Sequence, residues 1–252
     1  MQGDVFMEIR ELSKSFGSQE VLHGIDLDIH RGETLVLLGG SGCGKSVLMK
    51  HMTGLLQPDS GTVSLEGKLI SGSSERELTW ARRKIAMMFQ SGALFDSLTV
   101  GENIAFPLHE AGIKDEAEIE RRVGEALEIV KLKGQRAKRP SELSGGMRKR
   151  VALARAVVEK PCCVLYDEPH AGLDPVTGDS IDHLIKELEK EHGITNVVIT
   201  HEIRSVFRIA TRVVFLKDGL IYWEGTPEAL KETADPELQN FIEGRSEKSA
   251  HL

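Results

Sequence analysis

The chain has 252 residues, 40% of them apolar, enough to bury a sizeable core in one or two domains. Its formal charge, 32 − 39 = −7, argues against broad nucleic-acid binding, which needs a basic face. No stretch approaches about 18 uninterrupted apolar residues, so no membrane span is expected. Met1-Gln2-Gly3-Asp4 begins neither a basic nor an apolar segment, so no signal peptide is expected either. Three cysteines make no disulfide framework. Cys162 and Cys163 head an apolar run and read as buried small hydrophobes, which together suits a reducing cytosol.

Residues 5–10, 25–29 and 34–38 are short strand-like runs. Directly after the third stands Gly39-Gly40-Ser41-Gly42-Cys43-Gly44-Lys45-Ser46, the G-x-x-x-x-G-K-[ST] pattern of a phosphate loop. At average residue usage a chain this long shows that pattern by accident on the order of 1 time in 100. Val47, Leu48, Met52 and Leu55 then recur at near-helical spacing, so the motif sits between a strand and a helix, as its mechanism demands. Glycines let successive N–H groups face one concavity, and the helix adds its positive dipole end. Lys45 would reach the β- and γ-phosphates, and the Ser46 hydroxyl would reach Mg²⁺.

Gln57-Pro58-Asp59-Ser60-Gly61 is a strong turn before a strand at 62–66. Residues 75–84 read as a charged surface helix leading into a strand at 85–89. From 100 to 160 the pattern turns helical, with Ile119, Val123, Ala126, Leu127, Val130 and Leu132 near one face. Leu143-Ser144-Gly145-Gly146-Met147 precedes a basic, apolar helix. A cap explains Ser144 there but not the paired glycines, so the segment reads as a second anion cradle. Strand runs return at 163–166, 197–200 and 213–216, with a helix at 176–192 giving βαβ spacing. The first of these ends in Asp167-Glu168. A pair of acids in a loop is often only a helix cap. At the carboxyl edge of a buried strand, in a chain with a phosphate loop, Asp167 fits an Mg²⁺ ligand and Glu168 a base for the attacking water. Asp218-Gly219 is a hairpin signal, and 244–252 is expected to fray.

With these motifs in view the chain resembles the ATPase subunits of ABC transporters. Leu143-Ser144-Gly145-Gly146 is similar to their signature. Gln90 resembles the Q-loop glutamine, Ala171-Gly172-Leu173-Asp174 the D-loop, His201 the switch histidine, and Phe16 the aromatic that stacks on adenine. A lone histidine beside an apolar strand is ordinarily structural; the order and spacing of the other motifs give His201 its role. The motifs span 16–201 in family order. Departures are Met147 where Gln is common, Gly40 where Pro is usual, and His170 where Thr or Ser is frequent. None removes a catalytic group.

The resemblance implies an α/β fold of the P-loop NTPase, ABC ATPase type: a mixed-sheet core with an antiparallel β subdomain at 1–90 plus 161–225, a helical insertion at 91–160, and C-terminal helices with a short polar tail at 226–252. It implies ATP and Mg²⁺ as cofactors. Lys45, Gln90, Glu168 and His201 would be catalytic. Phe16, Gly39, Gly40, Ser41, Gly42, Cys43, Gly44, Lys45, Ser46, Ser144, Gly145, Gly146 and Asp174 would bind nucleotide, with Ser144–146 serving the nucleotide of a second copy. Ser46, Gln90 and Asp167 would hold the metal. Residues 89–100, Met147 and 235–244 further resemble the ATPases of Mla-type lipid transport systems. That likeness implies a homodimer on integral-membrane permease subunits, an MCE-domain lipid-binding partner, a small cytoplasmic accessory subunit, and a peripheral place on the cytoplasmic face of an inner membrane. Some relatives carry a longer C-terminal tail that reaches the second ATPase; the sequence stopping at Leu252 leaves that contact open. The alternatives are the ATPase of an amino-acid or other small-solute importer, a non-transport ABC ATPase on DNA or ribosomes, and a nucleotide-binding scaffold without turnover. No coiled-coil insertion, basic face or second phosphate loop supports the second, and Glu168 and His201 argue against the third.

Overall fold

The structure, a computed structural model, describes residues 4–245; the tail expected to fray lies outside them from 246 onward. β1 (Val5–Phe16) and β2 (Gln19–His30) form a hairpin about twice as long as the apolar runs suggest. The outer half, Ser13 to Phe16 against Gln19 to His23, is mostly polar, with only Leu22 buried in the core, so cross-strand pairing more than hydropathy makes it strand. β3 (Thr34–Gly39) runs into the phosphate loop, and α1 (Lys45–Met52) leaves it. β4 (Ser60–Leu65) and β5 (Lys68–Leu69) complete an antiparallel sheet ordered β2-β1-β4-β5.

α2 (Glu75–Lys84), started by a Ser74/Glu77 capping box, leads into β6 (Ile85–Met88). Three helices follow: α3 (Val100–Glu110), α4 (Glu116–Ile129) and α5 (Gly145–Val157). The apolar face read at 119–132 is buried, but the helix ends at Ile129. Lys131 takes a left-handed turn (φ 58°), and Leu132 N–H closes onto Leu127 O at 2.9 Å. β7 (Cys163–Asp167), α6 (Pro175–His192) and β8 (Thr195–Ile199) form the expected βαβ unit, with β7 and β8 adjacent and parallel. α7 (Ile203–Ile209), β9 (Arg212–Lys217), β10 (Leu220–Gly225), α8 (Pro227–Lys231) and α9 (Pro236–Glu243) finish the described chain. The turn between β9 and β10 carries Asp218 and Gly219 at φ 49° and 74°, as its hairpin signal requires.

The second sheet runs β10-β9-β3-β8-β7-β6, parallel except for the edge strand β10. Its two faces make two cores, because side chains alternate along each strand. Val36, Leu38, Val164, Tyr166, Val198 and Val213 pack with the helices α3 to α6. Leu35, Leu37, Leu165, Val197 and Val214 pack with α1 and the antiparallel sheet. β3 is therefore buried on both faces, and the loop at its end is held by a rigid strand. Cys163 is buried in the second core as expected. Cys162 is only half-buried, because it precedes the strand and lies at the sheet's end. Among the described residues no helix is long and apolar enough to cross a membrane.

Candidate functional site

The phosphate loop is shaped by steric necessity. Gly39 has φ 143°, and a Cβ there would lie 2.2 Å from Leu216 O and 2.7 Å from Cys43 Sγ. Gly44 caps α1 at φ 106°, where a Cβ would meet Leu22 at 2.6 Å. Only glycine fits either position. Gly40 has open space instead, so this departure from proline strains nothing visible. Lys45 folds back over the loop, its Nζ 2.9 Å from Gly39 O and 2.8 Å from Gly40 O. That conformation satisfies the ammonium with neutral carbonyls while leaving it at the mouth of the loop. Ser41, Gly42 and Ser46 are exposed, and Cys43 is half-buried with Sγ 3.6 Å from Lys45 Nζ.

Opposite α1, β7 delivers Asp167 at its carboxyl end. Ser46 Oγ donates to Asp167 Oδ1 at 3.4 Å. Burial pushes the Asp167 carboxyl above the usual range, against the pull of Ser46. A hydroxyl and a carboxylate so placed fit Mg²⁺, which takes one or two protein ligands and fills the rest with water and phosphate. Among the described residues no group of three or more His, Cys, Asp or Glu is placed to hold a metal ion.

Glu168 sits in a left-handed conformation (φ 49°), which costs a non-glycine residue about 1–2 kcal/mol. Its N–H holds Ile199 O at 3.0 Å, pinning the strain between β7 and β8. His201 Nδ1 approaches Glu168 Oε2 to 2.9 Å, but off hydrogen-bond alignment. That oxygen is therefore buried without a donor, and His201 is 73% exposed beside it. A buried carboxylate oxygen without a partner is costly unless a water or substrate supplies the proton.

The remaining motif residues lie around this centre. Gln90 is exposed in the turn after β6. Phe16, half exposed with the Lys14 ammonium 5.7 Å above its ring, tips the β1–β2 hairpin; it lines neither of the two clefts that the phosphate loop helps line, whereas Gln19, Glu20 and Val21 line the larger, of about 450 Å³. Ser144 caps α5, accepting from Met147 N–H at 3.3 Å, and Ser144, Gly145 and Gly146 also stand clear of both clefts. Gly146 has an intramolecular reason to be glycine: a Cβ there would lie 2.3 Å from Thr177 Cγ2. Asp174 caps α6, its Oδ1 accepting from Val176 and Thr177 N–H and its Oδ2 from the Thr177 hydroxyl at 2.5 Å.

Two features escaped the sequence reading. His170 is locked by Asp182 (2.7 Å), Ser205 (3.2 Å) and Thr200 (3.4 Å), a buried polar cluster joining α6, α7 and the end of β8. Lys149 is buried, and its ammonium donates to Gln90 O and, at 3.4 Å, to Glu168 O. Its signal was available: Gly146, Lys149, Leu153 and Val157 fall on one helical stripe, and Lys149 is its one charge.

A family model described as "ABC transporter" matches residues 22–171. The Arabidopsis thaliana protein TRIGALACTOSYLDIACYLGLYCEROL 3, chloroplastic, is 40% identical over 96% of this chain and 74% of its own length. The intermembrane phospholipid transport system ATP-binding protein MlaF of Haemophilus influenzae is 36% identical over 96% and 91%. The methionine import ATP-binding protein MetN of Brucella abortus is 37% identical over 96% and 69%. Among solved structures, the dimeric post-hydrolysis state of the ATP-binding cassette MJ0796 bound to ADP and Pi superposes with TM-score 0.80 at 33% identity, covering 88% of this chain and 98% of that one.

Proposed function

This chain belongs to the ABC transporter family as an ATP-hydrolysing cassette of P-loop α/β fold, and on that premise we propose that it is the motor of a phospholipid transporter. The observation that carries the site is the meeting of Lys45, Ser46, Asp167, Glu168 and His201 at the carboxyl edge of β3, β7 and β8. Lys45 binds the β- and γ-phosphates as a point charge, and the loop's N–H groups cradle them. Ser46 and Asp167, with Gln90, would hold Mg²⁺, which would supply positive charge to the transferred phosphoryl group. Glu168 takes the proton of the attacking water through the oxygen that has no donor. His201 and Gln90 orient that water and the γ-phosphate. Phe16 stacks on the base. Ser144, Gly145 and Gly146, away from their own phosphate loop, complete the site of a second copy, joined by Asp174 near the interface, so ATP holds two copies together and hydrolysis releases them.

In this reading the core at 1–90 and 161–225 carries the phosphates, and the helical unit at 91–160 carries the cradle. Phe95, in the stretch after Gln90, pairs on the surface with Phe106 of α3, their ring centroids 4.9 Å apart. These suit a groove for a short helix of an integral-membrane permease on the cytoplasmic face of an inner membrane. An MCE-domain protein and a small accessory subunit complete the assembly. The lipid assignment leans on the near full-length likeness to MlaF. The likeness to MetN favours a second reading, a small-solute importer. Purification of the tagged protein in mild detergent, with mass spectrometry of proteins and lipids, decides between them. A permease with an MCE-domain partner and bound phospholipid is expected. A small-solute permease without a lipid-binding subunit refutes the lipid assignment and leaves the ATPase standing.

A further inference from the structure

α5 grips the segment that carries Gln90 with two cations. Lys149 donates to Gln90 O, and Arg155, two turns on, donates to Gly92 O at 2.8 Å and Ala93 O at 2.7 Å. Gly92 is buried against the same helix at φ 77°, where a Cβ would already touch that of Ala152 at 3.4 Å. Beyond it, the side-chain amide of buried Asn103 pins Phe95 and Leu98 through their carbonyls at 3.0 and 3.2 Å. The backbone from 90 to 98 is thus fastened to the helices. Lys149 alone reaches across to the other side of the site, to Glu168 O. A buried ammonium is stable only where oxygens replace its water, so these carbonyls and Lys149 fix one another. Burial pushes its pKa down, with Glu168 and Asp167 acting in the opposite sense.

We propose that Lys149 is a positioning residue for ATP hydrolysis: one ammonium holds the backbones of Gln90 and Glu168 at a fixed separation and ties both to the helix that begins at Ser144. The proposal rests on the site reading above. A displacement of α5, when its N-terminus engages a nucleotide on a second copy, then reaches Gln90 and Glu168 through Lys149. Lys149 lines neither cleft beside the phosphate loop and spends its ammonium on backbone carbonyls. Its loss leaves the phosphate loop intact and spoils the alignment of the groups around the water.

The test compares Lys149→Met, Lys149→Gln and Lys149→Arg in the full chain, with Glu168→Gln as the control on the site reading. The measurements are kcat, KM, affinity for a fluorescent ATP analogue, and the thermal unfolding midpoint. Lys149→Met should lower kcat by about 100-fold, the scale of a misplacement of about 1 Å. KM and nucleotide affinity should stay within roughly threefold, since ground-state binding is untouched. Lys149→Arg, which keeps a cation for the two carbonyls, should recover most of the loss. If Lys149→Met does not yield folded protein, Lys149→Gln carries the same thresholds. A folded neutral variant within about twofold of wild-type kcat overturns the proposal, as does an arginine variant no better than the neutral one. So does a loss of affinity equal to the loss of kcat. Wild-type hydrolysis by Glu168→Gln instead overturns the site reading itself.

Discussion

Gly146→Ala separates what a glycine does for packing from what it does for nucleotide. The added methyl would sit 2.3 Å from Thr177 Cγ2, where carbon pairs rest at about 3.5–4.0 Å, so more than about 1 Å must be absorbed. Thr177 cannot simply rotate, because its hydroxyl donates to Asp174 Oδ2 at 2.5 Å, within the cap of α6. Overpacking of this kind costs about 1–3 kcal/mol. Replacing a helical glycine by alanine returns up to about 1 kcal/mol, less in the first turn where Gly146 lies. The net loss should be about 1–2 kcal/mol, or several degrees in Tm for a chain of this size. Thr177→Ser removes the clashing carbon, and the next atoms, Thr177 Cβ and Oγ1, are at 3.7 and 3.9 Å, ordinary contact. In the serine background Gly146→Ala should therefore be neutral or slightly stabilising. Urea or thermal unfolding of the four proteins measures that coupling. An equal loss in both backgrounds refutes the steric argument. Hydrolysis should stay low in the doubly substituted protein, where the methyl still crowds the cradle.

Lys45→Ala should abolish hydrolysis and weaken nucleotide binding, because the principal cation on the phosphates is lost; near-normal turnover would refute its placement. Glu168→Gln should keep ATP and slow hydrolysis by roughly 100-fold or more, so that size exclusion in Mg-ATP finds a dimer; a freely hydrolysing variant, or a monomer at high concentration, counts against the composite site. Ser144→Arg should eliminate hydrolysis while leaving nucleotide affinity of the isolated chain near normal, as titration with a fluorescent analogue would show. Alkylation of Cys43, half-buried with its thiol against Gly39 and Lys45, should inactivate the ATPase, and Mg-ATP should protect it. Cys162 is the competing target, since burial holds the Cys163 thiol far above its ordinary pKa. Unchanged activity after verified modification of Cys43 would count against crowding at the loop.

What the sequence disclosed was local chemistry. The strand, glycine loop and helix around Lys45 were readable because each residue there obeys a backbone rule, and the structure shows the clashes that enforce it. The apolar run ending in Asp167-Glu168 was readable because a strand buried on both faces has few other sequences. The outer half of the β1–β2 hairpin was not, since its partner rather than its hydropathy makes it a strand. The end of α4 was not legible, because Val130 and Leu132 stay buried after the helix stops. Lys149 was legible only as the one charge on the stripe of Gly146, Leu153 and Val157, and the carbonyls that accept from it come from distant segments that no local pattern reveals. The paired glycines after Ser144 seemed to demand an anion, yet one of them is also needed by Thr177.

Arg212, on β9, has a consequence of a different kind. Its guanidinium is shared by Glu33, Glu224 and the carbonyl of Asp28, so one planar group joins the antiparallel sheet, the turn before β3 and the edge strand β10. At the far end of β9, His23 N–H closes onto Gly219 O at 3.0 Å. The hairpin bearing Phe16 and the strand bearing the phosphate loop are thereby bolted into one frame before any ligand arrives. Such a frame gives up little configurational entropy when it takes up a nucleotide. The single chain is thus already ordered for the nucleotide, and in the proposed pair the remaining ordering would fall on the meeting of the two copies.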